Sequence, residues 1–182
     1  MADVLTIDQR HKCMSRVRSK DTKPEILLRK ALWRRGFRYR INDRKLPGSP
    51  DIVLPKYRTV VFVHGCFWHG HKGCKKYTIP ATNRDFWIAK IARNQARDQE
   101  VWRNLESKGW NVLVIWECEL AKNVFPDTVD SVSSRIMENG QLYWERVKER
   151  INMRKSVLEE KKERLAKVSA VREELSRFKY RH

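Results

Sequence analysis

The sequence predicts an α/β protein, a mixed central sheet flanked by helices, followed by a charged helical extension. Three observations predict it. A capped apolar stripe lies near the N-terminus, two short β-branched runs follow with a turn between them, and a second long amphipathic stretch leads into another apolar run.

Thr22-Lys23-Pro24-Glu25 has the form of a capping box with proline in the first turn, so a helix is expected to begin there. Leu27, Leu28, Ala31 and Leu32 supply its apolar stripe, and Gly36 suits a left-handed C-terminal cap. Phe37 to Ile41 alternates apolar residues with arginine and reads as a half-exposed edge strand. Leu46 to Pro50 reads as a turn, and Asp51–Leu54 and Thr59–His64 as a buried antiparallel hairpin closed by Pro55-Lys56-Tyr57-Arg58. Asn83 is placed to cap a helix carrying Phe86, Trp87, Ile91, Val101, Trp102 and Leu105, ended by Gly109. Trp110 to Trp116 reads as a further strand. A last helix is expected from Phe125 to about Met137, with Asn139-Gly140 breaking it.

From Gln141 to His182 glycine and proline vanish, while Trp144, Ile151, Leu158 and Leu165 recur every seventh residue. Val147, Val168 and Leu175 share the companion seam, which Arg154 and Lys161 interrupt, so the pattern is a charged helix with a weak coiled-coil seam. The expected division is residues 1–140 as one domain and 141–182 as its extension. The extension reads equally as a solvated helix, a dimerisation arm or a DNA-contacting arm.

Lysine and arginine total 40 against 22 acidic residues, a formal charge of +18, which suits a polyanionic partner, nucleic acid first. No run approaches the roughly 18 apolar residues of a membrane span, and Met1–Arg16 lacks the apolar stretch of a secretory signal. An intracellular protein without a membrane partner is expected, and its cysteines then read as metal ligands before disulfides. Cys66, His71 and Cys74 form C-x4-H-x2-C, and Cys118 follows the strand that ends near Glu117. Three thiolates and an imidazole make a closed structural zinc set, in a loop with little apolar surface of its own. The competing reading is unrelated buried thiols. Cys13 is left over.

Asp51 opens a predicted strand, and Phe62 and His64 share one face of the next, so a metal site could form between them. Phosphodiester hydrolysis needs charge neutralised at the phosphoryl group and an activated water, tasks that suit Mg²⁺ on a carboxylate and a histidine. Alone, a Pro-Asp turn near a histidine is more often a structural feature.

Val63-His64-Gly65-Cys66-Phe67-Trp68-His69-Gly70-His71, then Pro80-Ala81-Thr82, Phe86-Trp87, Arg97-Asp98, Gly109-Trp110 and Trp116-Glu117-Cys118, carry a more specific signal. In them the chain resembles the very-short-patch repair endonucleases, of the PD-(D/E)xK nuclease superfamily, from about Met14 to Leu120. The resemblance implies a restriction-endonuclease-like sheet and Mg²⁺-dependent nicking of one strand of double-stranded DNA at a T:G mismatch. It implies that Asp51 binds Mg²⁺ with the backbone carbonyl of Val63. His64 would organise water, His69 would act as general base or phosphate contact oriented by Asp98, and Glu25 would help through water. It also points to Cys66, His71, Cys74 and Cys118 as the zinc ligands, and to Phe67, Trp68 and Trp87 as a wedge that unstacks the duplex beside the mismatch. Phosphate grip is assigned to Arg16, Arg18, Lys20 and Lys23. The structural reading of Trp87 is core packing, and of the basic segment, solvated surface. Mismatch-repair proteins would be possible partners, and the nucleoid the place of action. Two other functions stay open: a related nuclease cutting matched duplex in restriction or defence, and a zinc-stabilised DNA-binding module without catalysis.

Overall fold

The computed structural model describes residues 20–179 together with Gln9, Lys12 and Ser15. Cys13, Arg16 and Arg18 lie outside the described residues. The chain divides into two compact units between Gly140 and Gln141.

In the first unit, helix α1 spans Lys23–Arg34. Its predicted capping box is altered: Glu25 reaches back to the amide of Asp21 (3.0 Å) and accepts from the Thr22 hydroxyl (2.7 Å), so Thr22 makes no side-chain bond to the helix backbone. The C-terminus is a Schellman motif, with the Gly36 amide donating to Trp33 O and the Phe37 amide to Leu32 O, and Gly36 at φ +86°. Leu28 and Leu32 are fully buried, but Leu27 is exposed, because the stripe facing the sheet is narrower than the run of apolar letters.

Strands β1 (Ile52–Leu54) and β2 (Thr59–His64) pair antiparallel, Ile52 opposite Val61, as the two runs predicted. Strand β3 (Asn111–Trp116) lies parallel to β2, with His64 beside Trp116, giving a mixed three-stranded sheet in the order β1-β2-β3. The expected strand at Phe37–Ile41 is absent. Only Arg40 bridges to Val53, because β1 is three residues long and the next bonded rung would set Arg38 opposite Pro55, which has no N–H to donate.

Helix α2 (Arg84–Ser107) covers one face of the sheet, where Val53, Val60, Phe62 and Leu105 are buried together against Val101 and Trp102. Asn83 precedes it without a side-chain cap, because its φ of +53° is left-handed instead of extended. On the other face Ile52, Leu54, Val61, Leu113 and Ile115 pack with Leu28 and Leu32 of α1 and with Val129, Val132 and Ile136. Those last three belong to helix α3, which runs Phe125–Lys179 without the break expected at Asn139-Gly140. Gly140 lies within this helix, and Tyr57 approaches it so closely that a Cβ there would lie 2.6 Å from Tyr57 Cδ1. Among the described residues no helix is long and apolar enough to cross a membrane. In the second unit, residues 148–170 of α3 are exposed throughout.

Candidate active site and metal centre

The site grows from the ends of β1, β2 and β3. Because side chains alternate along a strand, Val60, Phe62 and His64 share the face covered by α2, and His64 lies 4% exposed among Phe62, Trp102 and Trp116. After β2 the chain turns, and His69 stacks on His64 with ring centroids 3.6 Å apart and planes 18° apart. His69 Nδ1 bonds Asp98 Oδ2 at 2.5 Å from α2. The same helix holds the backbone of this loop, with Asn94 Nδ2 donating to Trp68 O (2.9 Å) and Gln95 Nε2 to His69 O (3.2 Å). A Cβ on Gly70, at φ +66°, would clash with Gln95 and Ile91, so only glycine lets the loop approach α2 this closely.

Burial pulls His64 down to about 3, helped by the neighbouring His69, so the ring is neutral at ordinary pH. Its Nδ1 is buried without a hydrogen-bond partner. Burial raises Asp98, but the bond and charge of His69, with His64 and Arg97, outweigh it and leave the carboxyl below the usual range. The Asp98 anion is thus fixed on one side of His69, with a neutral imidazole stacked on its face.

Asp51 stands immediately before β1. Its Oδ2 accepts from the amide of Val63 at 2.7 Å. Burial drives its carboxyl up to about 6, against the lowering effect of that bond, and nearby Glu25 raises it further. A poorly solvated carboxylate of this kind gains from a hard cation, and oxygen donors suit Mg²⁺. A strand residue points its N–H and C=O toward the same neighbour, so the Val63 carbonyl belongs to the edge that meets Asp51. The donor set therefore fits a divalent ion. Asp51, His64, His69 and Glu25 line one cleft of about 440 Å³ with Lys20 and Arg97. A wider cleft of about 990 Å³, sharing Glu25, Val63, His69 and Arg97, is walled by Lys23 and Lys90.

Glu25 is 5% exposed and tied to Arg29, whose Nη2 donates to its Oε2 at 2.9 Å. Arg29 also meets Asp21 Oδ1 (2.5 Å) and the Asp51 carbonyl (3.3 Å), so one buried guanidinium joins the start of α1 to the start of β1. Sequence reasoning missed Arg29, although its spacing four residues after Glu25 on a helix was a readable signal. It missed Asn94 and Gln95 too, which look like any polar residues on a helix.

Cys66, His71, Cys74 and Cys118 come together, their ligand atoms all within 4.8 Å of one another. His71 Nδ1 is 3.5 Å from Cys66 Sγ and 3.4 Å from Cys118 Sγ. Tetrahedral zinc with ordinary Zn–S and Zn–N bonds would place such a pair about 3.5 Å apart. The cluster can hold a metal through Nδ1, and Trp116 fixes the ring by stacking at 4.1 Å, 6° from parallel. Burial pushes the Cys66 thiol up to about 12 and Cys118 up as well, while the amide of Lys76 pulls Cys74 down. The β2–β3 register explains the location. His64 pairs with Trp116, so Cys66 and Cys118 both stand two residues past the last rung.

Phe67, Trp68 and Trp87 touch one another edge-to-face, at centroid distances of 5.1, 5.3 and 6.0 Å. Trp87 therefore joins the loop aromatics and not the core around Leu105, and exposed Phe86 adds a fourth ring, 5.2 Å from Trp87.

Comparison with known proteins gives the family of the chain. Residues 2–76 match the family model of the DNA mismatch endonuclease Vsr. The chain is 53% identical over 120 residues to the type II nicking enzyme V.NmeAIP of Neisseria meningitidis, an alignment covering 66% of this chain and 85% of the relative. It is 43% identical over 120 residues to the DNA mismatch endonuclease Vsr of Escherichia coli, covering 66% of this chain and 76% of that protein. Against the type II nicking enzyme V.XorIIP of Xanthomonas oryzae it is 48% identical over 121 residues, 66% of this chain and 88% of the relative. A basic α/β domain with these relatives is a DNA endonuclease, a hydrolase of phosphodiester bonds. The chain belongs to the Vsr family of DNA mismatch endonucleases.

Proposed function

We propose that the protein nicks one strand of duplex DNA next to a T:G mismatch, in a Mg²⁺-dependent hydrolysis within residues 1–140. The carrying observation is the cleft in which Asp51, the His64–His69 stack and Asp98 stand together. The relatives' names support the two halves of the reading, one being called a mismatch endonuclease and others nicking enzymes.

Asp51 would hold the ion with the Val63 carbonyl, in a restriction-endonuclease-like sheet. Bound there, Mg²⁺ would neutralise charge on the scissile phosphate. His69 takes or donates the proton at Nε2, since Asp98 holds its Nδ1 and so fixes the ring. His64 stays neutral and buried beneath it, a flat support that orients His69 and water without adding charge. Glu25, held by Arg29, borders the cleft and acts through water. Zinc at Cys66, His71, Cys74 and Cys118 pins the far side of the loop bearing His69.

The ring group Phe67, Trp68 and Trp87 replaces the stacking lost when a weak T:G pair is opened, and a matched pair resists that opening more. Lys20 and Lys23 border the clefts and grip phosphate, together with Arg16 and Arg18. Action on DNA places the protein in the cytoplasm at the nucleoid. The test is nicking of T:G and matched duplexes of one sequence in Mg²⁺. Rapid cleavage of the mismatch alone is expected, and equal rates would replace this reading with a nuclease of ordinary duplex.

A further inference from the structure

The second unit offers an interaction surface of specific chemistry. Every described side chain from residue 148 to 170 is exposed, and Ile151, Leu158, Leu165 and Val168 are 47%, 56%, 58% and 65% exposed. At 3.6 residues per turn, Ile151, Leu158 and Leu165 form one narrow stripe along the helix. Lys148, Lys155 and Lys162 run along one flank of it, and Arg150, Arg154 and Lys161 along the other. Acidic residues are kept to the far side, at Glu145, Glu149, Glu159, Glu160 and Glu163, and the contact between Lys162 and Glu159 (3.3 Å) closes the boundary between the faces.

This arrangement selects among partners. In a parallel pair of identical helices Arg150 would face the other copy's Lys155, and Arg154 and Lys161 would each meet their own copies inside the seam. An antiparallel pair sets basic flank against basic flank. Self-pairing is therefore opposed in both orientations. Phosphates of DNA would satisfy the flanks and leave the apolar stripe in water. A membrane surface favours a broader apolar face than a seam one residue wide.

We propose that this face docks a helix of another protein, one carrying an apolar heptad seam flanked by Asp or Glu, with acids opposite Arg154 and Lys161. Apolar burial then supplies affinity, and the two basic flanks supply choice of partner.

The test uses the full-length protein and a synthetic helical peptide of about four heptads, with leucine in the seam, glutamate on both flanks and glutamate facing Arg154 and Lys161. A control peptide carries lysine at all of those glutamate positions. Calorimetry is expected to show a one-to-one complex with the acidic peptide and none with the control. The Arg154→Glu/Lys161→Glu variant should bind the acidic peptide at least about tenfold more weakly, with unchanged helicity and unchanged nicking. Equal binding of both peptides would overturn the proposal, and so would a stable homodimer in sedimentation. Binding to phosphatidylglycerol vesicles in place of the peptide would assign the face to a membrane. A loss of duplex affinity in the variant as large as its loss of peptide affinity would assign it to DNA.

Discussion

Replacing Asp51 by asparagine should make the protein more stable while abolishing its activity. The carboxyl titrates near 6 in the fold against an ordinary 3.8, chiefly because burial disfavours the anion. For an acid whose folded pKa is raised, the penalty is absent below the unfolded value, grows as pH rises through the interval, and is complete above the folded value. With these two values it amounts to about 1 kcal/mol at pH 4.5 and about 3 kcal/mol at pH 7.5. Asparagine has nearly the same shape, and its carbonyl oxygen still accepts from the Val63 amide now bonded to Oδ2. Urea unfolding followed by tryptophan fluorescence, without added Mg²⁺, should therefore find Asp51→Asn the more stable protein, with the gap widening between those two pH values. Adding Mg²⁺ should stabilise the wild type and leave the variant unchanged, because only the carboxylate binds the ion. Nicking should be lost in the variant at every pH. A variant less stable than wild type at pH 7.5, or a gap that does not change with pH, would refute the reading of Asp51 as a strained, cation-seeking carboxylate.

Three other substitutions probe separate parts of the site and its scaffold. Cys118→Ser removes one of the four converging ligand atoms and should lower both zinc content and the unfolding midpoint; one zinc still bound per chain would refute the ligand set. Asp98→Asn keeps an acceptor for His69 but removes the anion, so nicking should slow by about 10²-fold or more with little change in DNA affinity. An unchanged rate would remove the orienting role. Gly140→Ala raises helix propensity yet should destabilise the first unit by about 1–3 kcal/mol, because the new methyl meets the Tyr57 ring. Stability within about 0.5 kcal/mol of wild type would show that the ring simply moves aside.

What the sequence revealed, and what it hid, follows from the range of the interactions concerned. The hairpin of β1 and β2 was legible because its β-branched residues lie within fourteen positions of chain and both runs are buried. Cys66, His71 and Cys74 were legible from spacing, since all three sit in one loop. Cys118 was found because it stands just past a strand. At Gly140 an Asn-Gly pair is a local breaker signal, whereas the need for glycine inside a continuous helix comes from the close approach of Tyr57, far away in sequence. Phe37–Ile41 was misread for a related reason: the alternation is real, with Phe37 buried and Arg38 exposed, but the neighbouring strand is too short to receive a ladder. The stack of His64 on His69 had no local signature at all, for it exists only once the loop has folded back over the end of β2.

That fold-back links the Cys/His cluster to the His69–Asp98 pair. The loop from Gly65 to Cys74 carries His69 toward Asp98 and His71 toward the thiols, two residues apart and on opposite errands. On the α2 side it is held by Asn94, Gln95 and Asp98, and on the other by the Cys/His cluster and the stacking of His71 on Trp116. Asp98 fixes the ring of His69 only while the loop keeps its place, and a loop with few buried apolar groups has little packing energy of its own to keep it there. Loss of zinc should then reach the reaction through this loop, by way of His69 and the neighbouring rings of Phe67 and Trp68, leaving Asp51 in place before β1. A zinc-stripped protein is expected to keep its Mg²⁺-dependent gain in stability while losing most of its nicking, and the nicking should return on zinc addition. If stripping zinc abolished the Mg²⁺ effect as well, the two centres would form one folding unit, and the division of labour between strand and loop would be wrong.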